Sequence, residues 1–226
     1  MADHARLQGA KPGQLQTLSM GVDTSTQFSP DPAVSRTDNE ILFVGRLVEK
    51  KGCAYLVEAM PAILRRYPSS RLSIVGSGPE QTALHRQVEH MGIAHAVTFY
   101  GAASNAEIPD WYRRATVFVA PSIVTAAGDQ EGLGLVLVEA LACECPVVAS
   151  DLPAIRDVVM DGVNGLLCQP RDSAELAARI GYLFEHPELR RSMGRAGRQY
   201  VQSRFDWTTV SSRYAALIQE LVQARA

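Results

Sequence analysis

Glu131 and Glu139 stand eight positions apart in the run Glu131-Gly-Leu-Gly-Leu-Val-Leu-Val-Glu139. Glycines follow the first acid, and the apolar stretch to Ala149 follows the second, which describes a loop entering a helix that points at a ligand. Gly132 and Gly134 remove side chains where such a helix begins. Backbone N–H groups and the positive end of the helix dipole are then open to an anion. If Val136–Cys143 is helical, Glu139 lies inside the helix and Glu131 at or before its start. At about 1.5 Å rise per residue, eight residues span roughly 12 Å, wider than the roughly 5–9.5 Å between a glycosidase's two carboxylates. The acids are expected to grip two parts of one long ligand rather than to share one bond. A polyhydroxylated molecule with a phosphate in its middle fits.

Other residues converge on the same chemistry. Gly45-Arg46-Leu-Val-Glu-Lys50-Lys51-Gly52 directly follows an apolar run. There Arg46 could make a forked contact to a phosphate and Lys51 a point-charge contact; a solvated basic turn is the alternative. Gly76-Ser77-Gly78-Pro79 has Gln81 where a dinucleotide fingerprint needs a third glycine, which argues against NAD. It reads as a tight strand-to-helix turn, with Ser77 left as a candidate ligand contact. Glu139 is flanked by Val136, Leu137, Val138, Ala140 and Leu141, so it needs a partner, because an unpaired buried acid is costly. The diol of a ribose would supply one; bridging of neighbouring residues is the alternative. Glu131 could instead only complement the helix dipole. None of the five histidines pairs in a triad spacing, and no Asp-x-Asp pair offers to hold a metal, so no metal is expected.

These residues need a scaffold that brings them to one edge. Ile41–Gly45, Arg71–Gly76, Ala96–Tyr100, Thr116–Ala120, Pro146–Ser150 and Gly165–Cys168 read as buried strands. Between them Cys53–Tyr67, Glu80–Met91, Asn105–Arg114 and Leu135–Cys143 read as helices, with Pro61 positioned to kink or restart the first. Such alternation predicts an α/β fold, a Rossmann-like doubly wound parallel sheet with ligands outside the strands' carboxyl ends. Three further helices, 173–184, 187–204 and 207–226, form a C-terminal helical extension. Residues 1–40 are a polar tail or linker with a short ordered segment around Gly21-Val-Asp23 and Phe28-Ser-Pro30, and 41–206 form the sheet domain.

Of 226 residues, 46% are hydrophobic and 20% charged, with net charge −2, ordinary for a globular protein and no support for nucleic-acid binding. No run is apolar and long enough to span a membrane, so no integral membrane segment is expected. The four cysteines form no CxxC pair and read as packed thiols of a cytoplasmic protein.

Together the motifs resemble the C-terminal half of retaining glycosyltransferases of the two-domain GT-B type, family 4. The resemblance runs from about Gly21 to the end. It rests on the segments above, on Val97-Thr-Phe-Tyr100-Gly101, on Ala120-Pro-Ser122, on the Glu131–Glu139 spacing and on Gly162-Val-Asn-Gly165. It implies binding of a nucleoside-diphosphate sugar without a required metal or other cofactor. Arg46, Lys51 and Glu131 would be catalytic: the two cations on the departing diphosphate, Glu131 on the hydroxyls of the transferred sugar. The donor site would comprise Gly45, Ser77, Tyr100, Gly101, Gly132, Leu133, Gly134, Leu135, Val136 and Glu139. Of these, Gly134, Leu135 and Val136 would offer amides, Glu139 would hold the ribose, and Tyr100 and Gly101 would lie beside the base. Leu133 departs from a usual phenylalanine, and Glu144-Cys145 from a glycine and a small residue.

Family members carry a first domain that binds the acceptor, and nothing in the chain supplies it. The chain is expected to be the donor-binding half, with helix 207–226 packing on that acceptor domain and any membrane-peripheral location arising through it. The alternative is a stand-alone nucleotide-sugar-binding or regulatory module without catalysis. An exposed apolar face on 207–222 would favour the first reading, and a self-contained helix the second.

Overall fold

The structure is a computed structural model that describes residues 9, 11 and 15–223. The other positions of the N-terminal tail, His4 among them, and the last turn of the expected final helix lie outside the described residues. Six strands form one parallel sheet: β1 (Glu40–Val44), β2 (Arg71–Val75), β3 (Val97–Gly101), β4 (Val117–Ala120), β5 (Val147–Ser150) and β6 (Leu166–Cys168). Their spatial order is β3-β2-β1-β4-β5-β6, with Ile41 beside Leu72 on one side and Val117 on the other. From β1 the chain winds outward through β2 to β3, then returns to β4 and winds the other way. The switch point lies between β1 and β4, and the crevice of such a sheet opens at their carboxyl ends.

Strand side chains alternate between two cores. Leu42, Val44, Phe118 and Ala120 face one, while Ile41, Phe43, Val117 and Val119 face the other. Both faces are apolar, so each must be covered by helices. The second core is closed by α1 (Cys53–Arg66), α2 (Gln81–His90) and α6 (Ser173–Glu185). The first is closed by α3 (Ile108–Arg114), α4 (Leu135–Ala142) and α7 (Pro187–Phe205). A four-residue helix, α5 (Pro153–Arg156), was not legible in the sequence pattern. The helix α1 runs through Pro61 unbroken, because Leu56, Val57, Met60 and Ile63 are all buried around it. α3 starts three residues later than the pattern predicts. Ser104 N and Oγ both donate to Glu107 Oε2 (2.9 and 2.7 Å), which holds that stretch as a turn.

The segment before the sheet packs onto the end of α7. Val22 N donates to the Phe205 carbonyl and Trp207 N to the Val22 carbonyl (2.8 and 3.1 Å). Asp206 accepts from Thr24 N and Oγ1 on one oxygen and from Thr208 N and Oγ1 on the other. Beyond this clasp runs α8 (Trp207–Gln223), in which Val210 is the one buried residue. Trp207, Tyr214, Ile218, Leu221 and Val222 share a face by helical spacing and are 44–64% exposed. No described helix is long and apolar enough to cross a membrane.

Candidate functional site

The loops after β1, β2 and β3 are stitched together by backbone hydrogen bonds. Gly45 N donates to Val75 O, Leu47 N to Ser77 O and Gly76 N to Gly101 O, at 2.7–3.0 Å. A Cβ on Gly78 would stand 2.3 Å from the Leu47 carbonyl oxygen. Gly76-Ser77-Gly78 is therefore a close-packing turn between two loops, the structural alternative read from its missing third glycine. Ser77 remains exposed on its rim.

The β1 loop also crosses the loop after β4. Ile123 N donates to the Lys50 carbonyl, and Gly52, at φ +64°, comes so near Pro121 that a Cβ would lie 1.9 Å from its oxygen. This crossing places Lys51 Nζ 2.5 Å from Glu131 Oε2, both side chains largely shielded, while Lys50 pairs at 3.0 Å with the exposed Asp129. Two residues 80 positions apart thus share one proton-rich contact at the switch point. Burial alone would raise the Glu131 carboxyl, but Lys51 and the amides of Gly132 and Gly134 outweigh it and hold it below its ordinary range.

Gly134 caps α4 in the left-handed conformation, φ +70° and ψ +51°. The Leu137 amide already bonds the Gly134 carbonyl, whereas those of Leu135 and Val136 find no acceptor among the described residues. These two N–H groups at a helix start, with Gly132 exposed and Leu133 half-buried beside them, leave open donors of the kind an anion accepts, next to Lys51. One turn on, Glu139 turns inward. Its Oε2 accepts from the hydroxyl of the fully buried Tyr112 at 3.0 Å. Burial pushes the Glu139 carboxyl up to about 7, against the opposing pull of the Tyr112 hydroxyl and the Lys51 charge. Lys51 therefore acts on both acids.

Arg46 is exposed at the same edge, and no carboxylate among the described residues holds it. Tyr100 is 52% exposed at the end of β3, its ring 4.4 Å from that of Trp111 on α3. Contacts thus join Lys51, Glu131 and Gly132, and backbone bonds bring Gly45, Ser77 and Gly101 to the same rim. Arg46 and Tyr100 reach that rim without side-chain contact to the others. The sequence reading missed Tyr112, whose hydroxyl pairs with an acid 27 positions away; only its place between two apolar runs hinted at burial. It also missed that Lys51 is already engaged by Glu131.

Among the described residues, no three His, Cys, Asp or Glu gather as a metal set. A cavity of about 510 Å³ lies instead beyond β5 and β6. Four of its charged groups are mutually paired, Arg156 on Asp151 and Arg179 on Glu175, and the fifth, Asp161, accepts from the Leu167 amide.

The strand order and the carboxyl-edge site define the Rossmann-like half of a GT-B fold. The chain belongs to the family of glycosyl transferases group 1, whose pattern matches residues 25–200. It is 34% identical over 221 residues to a GDP-mannose-dependent alpha-(1-6)-phosphatidylinositol monomannoside mannosyltransferase of Mycolicibacterium smegmatis, covering 93% of this chain and 58% of that one. Among solved structures it resembles sucrose-phosphate synthase from Thermosynechococcus elongatus, at TM-score 0.83 and 29% identity, over 98% of this chain and 57% of that one. It also resembles the C-terminal domain of a glycosyl transferase group 1 family protein from Francisella tularensis. That match has TM-score 0.71 and 27% identity, over 83% of this chain and all of that domain. The chain spans little more than half the length of the full-length relatives.

Proposed function

We propose that this chain is the donor-binding half of a retaining glycosyltransferase, which moves a sugar from a nucleoside-diphosphate sugar to an acceptor hydroxyl. The observation that carries the reading is the array at the switch point: Lys51 between Glu131 and Glu139, beside the open amides of Leu135 and Val136. A diphosphate seated on those amides would take a share of the Lys51 ammonium, with Arg46 reaching it from the rim. Glu131, relieved of part of its ion pair, would turn to the hydroxyls of the sugar, while Glu139 holds the ribose. Gly45, Ser77, Tyr100 and Gly101 would border the base. Catalysis would come from fixed positive charge where the diphosphate departs and from holding sugar and acceptor together, with no metal needed.

The acceptor would be held by a second domain, against which the apolar face of α8 fits as a contact. That exposed face favours a half-enzyme over a self-contained regulatory module. A cytoplasmic location, with membrane contact made through the acceptor domain, goes with this reading. Calorimetric titration with UDP, GDP and ADP, then with the matching sugar nucleotides, tests it. Selective binding of one base, tightened by its sugar, is expected, and GDP comes first because a 34% identical relative is named as GDP-mannose-dependent. Sugar transfer by this chain alone would refute the half-enzyme reading.

A further inference from the structure

Resting on that reading, we infer that Tyr112 is the positioning residue for Glu139: its hydroxyl clamps one carboxylate oxygen so that the other is presented to the ribose. Tyr112 is fully buried, its ring packed edge-on against Phe118 at 5.3 Å and tilted against Phe28 at 6.4 Å. A ring so wedged holds its hydroxyl at a fixed point, and that point is 3.0 Å from Glu139 Oε2. Burial, followed by the neighbouring Glu139, raises the Tyr112 hydroxyl well above its ordinary range, so it stays a donor. Glu139 Oε1 has no partner among the described residues, and it is the oxygen left for a ligand hydroxyl.

The groups around Glu139 are few. Tyr112 faces it from α3, and Lys51, itself bound to Glu131, acts on it from the β1 loop. The thiols of Cys143 and Cys145 face Tyr112. From α7, Arg198 sits on the Ala142 carbonyl at the far end of α4. The strands β4 and β5 place the apolar residues Phe118, Ala120, Val147 and Ala149 on this side. The protonation of Glu139 is thus governed by burial against two groups, Tyr112 and Lys51. A ribose diol can donate only to the ionised form without competing with a proton, so nucleotide affinity is tied to pH through this clamp.

The test compares wild type, Tyr112→Phe and Glu139→Gln, titrated with GDP, UDP and ADP from pH 6 to pH 9. The Glu139→Gln series shows the ionisation of the nucleotide's own phosphate. Wild type is expected to bind the ribonucleotide more tightly than its 2′,3′-dideoxy analogue, with affinity rising through pH 7. In Tyr112→Phe the rise moves to higher pH, so that affinity falls about tenfold at pH 6 and by about twofold or less at pH 9. An equal loss at every pH would make Tyr112 merely structural and overturn the inference while leaving the donor site standing. No preference for the ribonucleotide, or no binding of any of the three, would overturn the donor-site reading and the inference with it. If Tyr112→Phe does not fold, uniform 3-fluorotyrosine serves instead. Its stronger hydroxyl donor should move the rise to lower pH, and an unmoved profile would overturn the clamp.

Discussion

Glu139 lies in a place that costs stability, a cost that the proposed hold on a ribose would explain. Its carboxyl titrates near 7 in the folded chain, above the ordinary 4.5, because burial disfavours the charge more than Tyr112 and Lys51 favour it. The folded state therefore holds a proton that the unfolded chain has released. Stability falls as pH rises from about 4.5 through about 7, by on the order of 3 kcal/mol at pH 8. Glu139→Gln, which cannot ionise, should raise the Tm at pH 8 by roughly 6–12 °C, leave it nearly unchanged at pH 4, and still weaken nucleotide binding. Thermal melts at the two pH values check the sign; an equal change at both would remove ionisation as the cause. The two cations differ in kind. Lys51 is shielded and paired, so Lys51→Ala leaves Glu131 charged beside the phosphate seat. Loss of nucleoside-diphosphate affinity of about tenfold or more is expected, with nucleoside affinity within about twofold. Arg46 is exposed and screened, so Arg46→Ala should cost less, and its effect should shrink as salt rises. Equal losses for nucleoside and diphosphate would contradict both assignments.

At the scale of elements, the site is a meeting of loops rather than a single motif. The β1 loop must pass close enough to the β4 loop for Lys51 to reach Glu131, and Gly52 permits that approach. An alanine there would meet the Pro121 oxygen at 1.9 Å from a backbone held at φ +64°. Gly52→Ala is expected to destabilise by more than about 2 kcal/mol. It should also weaken diphosphate binding by more than a folded-fraction correction explains, since separation of the loops breaks the Lys51–Glu131 contact. Denaturant titration together with calorimetry separates the two effects.

At the scale of the whole molecule, the chain carries one covered surface too few. Both sheet faces are closed by helices, yet α8 leaves Tyr214, Ile218, Leu221 and Val222 exposed, while Trp207 at its start lays its ring against Gly21. The clasp of Val22, Thr24 and Asp206 puts the start of α8 beside the segment that leads into the sheet, so both lie at one corner. Replacing Ile218 and Leu221 with glutamate should leave the melting of the isolated chain within about 0.5 kcal/mol per site, because neither packs on the core. The same change should abolish activity reconstituted with an acceptor half. A large drop in the isolated chain's stability would mean that α8 packs on its own domain instead.

The short continuous apolar runs and the helical stretches between them determined the parallel sheet, because strands buried on both faces are apolar throughout. The glycine-flanked helix start and the Glu131–Glu139 spacing were legible for the same local reason. Backbone amides are exposed wherever a helix begins without side chains. Three features were settled by tertiary structure alone. These are the strand order, which put the β1 and β4 loops side by side; the Lys51–Glu131 pair across that crossing; and the Tyr112 clamp on Glu139. Each joins residues from separate βα units, whose relative placement depends on how the helices cover the two cores. Local sequence periodicity does not encode that placement, since the same strands and helices could be wound in another order.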